Sequence, residues 1–257
     1  MLHQQFRADS RTLFVHCACA NFEDVGDGEP TPITAISVYS EFRGETKSFS
    51  IHRQLSKRKR TSVDADTLTD KEILDAERQM LREFVSYTKS HSEDRWMHWD
   101  LRDPKYGFDM ISDRCSFFGI STPRVDESLR INLKQPIREI YGRDFAHHPR
   151  MLSLAKLNGI VAIDALDGKS EGACYQKKLF KSAADSSLRK VRIIREVAYL
   201  AGEGTLKTEM KWFRSPLVAL AGSVDWFLDH LVFRLLTIFL ALWGVGEICL
   251  RIVISLL

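Results

Sequence analysis

TLFVHCACA, residues 12–20, is an apolar run with no polar face, the pattern of a strand covered on both sides. A loop rich in Glu, Asp, Gly and Pro follows. ITAISVYS (Ile33–Ser40) and TKSFSIH (residues 46–52) then read as second and third strands, with Arg43-Gly44 at the turn between them. Three leading strands in succession are read as a meander. Residues 53–68, with the basic run Lys57-Arg58-Lys59-Arg60, read as a polar connection.

Working outward, the clearest helix covers residues 70–90. Thr69 with Glu72 three residues on forms a capping box, and Ile73, Leu74, Met80, Leu81, Phe84 and Val85 make one apolar stripe. RWMHW (residues 95–99) predicts a short strand leading into a loop, and residues 106–118 a helix ended by Gly119. Further helices are expected near residues 127–134, 136–141, 149–158, 170–181 and 186–200, the last capped by Ser186 or Ser187. Three strands, a helix, a strand and then helices define an α/β fold: a mixed sheet with flanking helices.

The composition is that of a globular protein, 44% hydrophobic and 28% charged, and a net charge of +3 is too small to argue for nucleic acid by itself. Five cysteines, an odd number without framework spacing, fit reduced thiols. Alternation sends Cys17 and Cys19 to one face of their strand and His16 to the other, which does not make a zinc site. MLHQQFRADSR at the N-terminus has no apolar core, so no cleaved signal peptide is expected.

The far end differs. LVFRLLTIFLALWGVGEICLRIVISLL, residues 231–257, carries only Arg234, Glu247 and Arg251 as charges. At about 1.5 Å per residue, about 20 apolar residues cross a bilayer core about 30 Å thick, so a transmembrane helix is expected. A span must include Glu247 and Arg251, which lie one turn apart and can neutralise each other. Gly244, Glu247, Arg251 and Ser255 fall on one stripe, the interface expected of a membrane oligomer or a partner membrane protein. Lys207, Lys211 and Arg214 on the near side place the large domain in the cytoplasm. The expected organisation is a domain over residues 1–205, a juxtamembrane segment over 206–230 and a single span over 231–257.

Over residues 10–200 the element order resembles the ribonuclease H-like fold, in particular the four-acid 3′–5′ exonucleases that use two metal ions. The residues carrying the likeness are Trp96-Met97-His98-Trp99-Asp100, with Asp103, and Tyr106-Gly107-Phe108-Asp109, where Phe-Asp resembles the start of the family's next helix. The resemblance implies His98, Asp100, Asp103 and Asp109 as catalytic candidates, with Mg²⁺ or Mn²⁺ if the domain is active. The first strand departs from the pattern: His16 and Ala18 stand where the family has Asp and Glu. The last helix departs as well, with Ser186-Ser187-Leu188-Arg189-Lys190 where a His and an Asp are wanted and only Asp185 nearby. The implied molecule is a degenerate, metal-poor relative. Glu23, Asp24, Asp27 and Glu29 in the loop after the first strand are alternative acidic ligands, and His147-His148-Pro149 reads as the start of a helix.

Lys177, Lys178, Lys181, Arg189, Lys190, Arg192 and Arg195 concentrate cations on two successive helices, a candidate surface for a nucleic-acid backbone or for acidic lipid headgroups. Three functions follow: a membrane-anchored degenerate nuclease-like domain that binds nucleic acid or a partner protein, an active metal-dependent nuclease, or a membrane effector working through its transmembrane oligomer.

Overall fold

The computed structural model describes residues 6, 8–9, 11–21, 23, 25–26, 28–58, 67–100, 107–121 and 125–209. Every residue of β1 (Thr12–Cys19) is buried, as a strand with no polar face requires. It pairs antiparallel with β2 (Ile33–Ser40), which pairs antiparallel with β3 (Glu45–Ser50). On its other side β1 runs parallel to β4 (Arg95–His98), and β4 parallel to β5 (Arg130–Asn132). The mixed five-stranded sheet has the order β3-β2-β1-β4-β5. The expected α/β architecture with flanking helices is therefore present.

Helices cover both faces, and the pleat of β1 decides what each face contributes. Leu13, Val15, Cys17 and Cys19 join one apolar layer with α1 (Ile51–Arg58), α2 (Asp70–Lys89) and α3 (Phe108–Phe117). Phe14 and Met97 join the other, with α4 (Lys134–Tyr141), α5 (Arg150–Leu157) and α7 (Phe180–Gly202). The remaining helix, α6 (Gly168–Gln176), packs on α7 and on β1. The capping box of α2 is closed: the Thr69 hydroxyl accepts the Glu72 N–H, and the Glu72 carboxylate accepts the Thr69 N–H at 2.9 Å. Of its expected apolar stripe, only Leu74 is 36% exposed. The rest faces Phe49, Trp96 and their neighbours, with edge-on ring contacts such as Phe84 to Trp96 at 6.2 Å.

Three local expectations are corrected. Residues 51–58 form α1 rather than the end of a strand and a polar connection. Ile51, Gln54 and Leu55 are buried at helical spacing, and the Ser50 hydroxyl accepts the Arg53 N–H at 3.2 Å. Residues 127–134 hold a 3-10 turn (Glu127–Leu129) and then β5, not a helix. Three residues are too few to show a period, and parallel pairing with β4 makes the strand. The last helix begins at Phe180, so Ser186 and Ser187 are buried inside α7 and cap nothing.

The chain divides into two units, Met1–Glu209 and Met210–Leu257. The expected transmembrane helix, residues 231–257, with Gly244, Glu247, Arg251 and Ser255, lies outside the described residues. Among the described residues, no helix is long and apolar enough to cross a membrane.

Candidate functional site

The parallel strands β1 and β4 bring His16 and His98 to the same end of the sheet, where a cleft of about 770 Å³ opens. Its floor is set by α6. Asp167 caps that helix by accepting the Ser170 N–H at 2.9 Å. Gly172 then lets the helix pack directly against Asn21, at the end of β1: a Cβ on Gly172 would stand 2.0 Å from the Asn21 side-chain oxygen. This close approach sets Glu171 against His16 of β1.

The Glu171 carboxylate is fully engaged. One oxygen, Oε2, takes the Lys190 ammonium at 2.8 Å and lies 3.1 Å from His16 Nε2. The other accepts the Ser186 hydroxyl at 2.5 Å. His16 is 9% exposed, and Glu171 and Lys190 are each 5% exposed. Burial alone would lift the Glu171 carboxyl, but its contacts with His16 and with the Lys190 ammonium, the one fixed charge beside it, reverse that and hold it at about 2. Burial lowers the His16 imidazole, with Glu171 pulling the other way. A neutral His16 therefore donates its Nε2 proton to Glu171 and presents a bare Nδ1, which has no hydrogen-bond partner among the described residues. The Ser187 hydroxyl holds the His16 carbonyl at 3.3 Å.

His98 is 7% exposed, and its Nδ1 accepts the Asp100 N–H at 3.0 Å, which leaves the ring proton on Nε2. Burial, with His16 nearby, drops this imidazole to about 3, so it is neutral at ordinary pH. Asp100 forms an ion pair with Lys134. Both line the cleft with His16 and Glu171.

Of the catalytic candidates, His98 and Asp100 meet in the cleft. Asp109 does not: it sits on α3 with its side chain 68% exposed, paired to Arg130 at 3.3 Å. Asp103 lies outside the described residues, as do Asp24 and Asp27. Glu23 lines the cleft. The basic candidates disperse. Lys190 is buried against Glu171, Lys178 donates to the Leu68 carbonyl at 2.7 Å, and Arg189 donates to the Ile163 carbonyl at 3.0 Å. Lys181 pairs with Asp185 at 2.6 Å, and Arg195 forks onto Glu41 at 2.9 and 3.0 Å. Lys177 and Arg192 are exposed.

Sequence reasoning missed Glu171 altogether and took Lys190 for a surface cation. A carboxylate alone in a weakly amphipathic helix carries no motif; only its lysine partner at the middle of a buried helix face hints at a pair. The Cys17 and Cys19 thiols are buried free thiols, pushed up by burial, Cys19 to about 12, and so are chemically quiet.

The two divalent ions implied by the resemblance do not fit this donor set. Among the described residues no three His, Cys, Asp or Glu side chains converge on a point, and the central carboxylate already carries an ammonium. The described arrangement presents a hydrogen-bond acceptor at His16 Nδ1 and a neutral imidazole N–H at His98 Nε2. No known protein family, curated protein or solved structure matches the chain.

Proposed function

We propose that this chain is a membrane-anchored, catalytically degenerate ribonuclease H-like domain that binds nucleic acid rather than cleaving it. The observation that carries the absence of cleavage is the Lys190–Glu171–His16 cluster at the cleft: a fixed ammonium stands 2.8 Å from the one carboxylate buried there among the described residues. An ammonium in that place satisfies the carboxylate without offering a Lewis acid or an activated water. The β1–β3 meander followed by parallel β4 supports the fold likeness, being the order on which the resemblance rests. Membrane attachment rests on the composition of residues 231–257.

The test uses the full-length chain in detergent with single-stranded RNA and DNA. No cleavage above blank is expected with Mg²⁺ or Mn²⁺, together with binding that weakens as salt rises and falls in Lys177→Ala/Arg192→Ala. Metal-dependent cleavage that disappears in Asp100→Ala would instead establish the active nuclease. Fractionation of the intact chain tests the anchor: recovery in the soluble fraction without detergent removes that part of the reading.

A further inference from the structure

The strongest unexplained feature of the cleft is Arg150. It is the first residue of α5, its guanidinium lies 5.8 Å from the Phe145 ring, and its Nε is buried without a hydrogen-bond partner among the described residues. A buried guanidinium N–H left unpaired is costly, and Arg150 lines the same cleft as His98 and Lys190.

Three neighbours strengthen the point. The helix that Arg150 opens has no side-chain cap, and its first described backbone bond runs from the Ser153 N–H to the Pro149 carbonyl. The N–H groups of Arg150, Met151 and Leu152 therefore lack an acceptor within the helix, and these residues line the cleft. Lys169, at the start of α6, is exposed on the cleft wall. His98, only 7% exposed, lines the cleft and carries its ring proton on Nε2.

The acids of the cleft are already assigned: Asp100 to Lys134, Glu171 to Lys190, and Asp167 to the cap of α6. Glu23 is exposed at the surface. What is left over is a fork of guanidinium donors, a helix N-terminus and an N–H from a neutral imidazole. Phosphate oxygens match that set, since they accept several donors at once and carry the charge that a helix N-terminus favours. Beside it, Trp99 is half-buried and lines the cleft, giving an aromatic wall for a ring.

We infer that the cleft is a metal-free site for the terminal phosphate of a nucleotide, seated on the N-terminus of α5 and held by the Arg150 side chain, with the base toward Trp99. The inference deepens the nucleic-acid reading above by naming the part of the ligand that is held. It also survives without that reading, because a free mononucleotide has the same phosphate.

The experiment is calorimetric titration of the full-length chain in a phosphate-free detergent with adenosine 5′-monophosphate, adenosine, inorganic phosphate, and one oligonucleotide with and without a 5′-phosphate. The monophosphate is expected to bind at least tenfold more tightly than adenosine and to be displaced by inorganic phosphate. Arg150→Gln is expected to weaken it at least tenfold while leaving the melting temperature unchanged, with Arg150→Lys in between. Equal binding of monophosphate and adenosine, no binding of either, or indifference to Arg150→Gln each overturns the proposal. Monophosphate binding without oligonucleotide binding supports the site and removes the nucleic-acid function. Oligonucleotide binding blind to both the 5′-phosphate and Arg150 does the reverse.

Discussion

His16 Nε2 lies 3.1 Å from Glu171 Oε2, joining the middle of β1 to a helix 155 residues further along the chain. Lys190 closes the group from α7 at 2.8 Å. With the Ser186 hydroxyl on the other oxygen, three buried polar residues from β1 and α7 share the one carboxylate that α6 supplies.

Removing one member exposes the cost of the others. Glu171→Gln leaves the Lys190 ammonium buried and uncompensated, and should destabilise the fold by about 3–5 kcal/mol. Glu171→Leu/Lys190→Met, which removes both charges, should recover most of that loss. Urea unfolding of the two variants checks this; equal losses in both would show that the pair is not the stabilising unit.

Acid should weaken the fold through its buried imidazoles. His98 is held at about 3 in the folded state against an ordinary value of 6.5. Between those values the unfolded chain binds the proton and the folded chain does not, so stability rises with pH. The contribution is complete above pH 6.5 and is lost as pH falls toward 3, with a slope of at most about 1.4 kcal/mol per pH unit for one proton. His16, also lowered by burial, adds in the same direction. His98→Gln should flatten the fall in urea midpoint between pH 6.5 and 4; an unchanged slope would locate the acid sensitivity elsewhere.

On the opposite face, Arg114 and Glu77 form a second buried pair, at 2.7 and 2.8 Å, that ties α3 to α2. Glu77 also accepts the Ile33 N–H at 2.7 Å, and Arg114 donates to the Pro30 carbonyl at 2.9 Å, so the pair fixes where β2 starts. Arg114→Met should cost about 3–5 kcal/mol because a buried carboxylate is left behind. The Glu77→Leu/Arg114→Met double variant should lose less, read by denaturant unfolding.

Gly172 is required by its contact with Asn21. Gly172→Ala would place a Cβ 2.6 Å from Asn21 Cγ and 3.0 Å from its backbone nitrogen. Moving α6 away to relieve this should cost about 1–3 kcal/mol. Asn21→Gly in the same chain should restore part of the loss, since the side-chain atoms that clash are removed. A melting series of the two single variants and the double variant decides it.

The strands and long helices were legible because burial leaves a local pattern: β1 reads as a short, largely apolar run, and α2 announces itself by Thr69, Glu72 and a stripe. β5 was not legible, because three residues have no period and only pairing with β4 defines them. Of the site, His98 and Asp100 were found from their place at a strand end. The Glu171 cluster was not, since its members are separated by whole elements and each is ordinary in its own segment.

Alternation and capping within single elements therefore determined the α/β class and the order of its parts, since both are local consequences of side-chain spacing. Which charges face each other was decided only when the sheet and α5–α7 closed. Lys190 reads as a solvated cation along the chain and becomes a buried counter-ion in the fold, because the depth of a side chain depends on what packs over it from elsewhere.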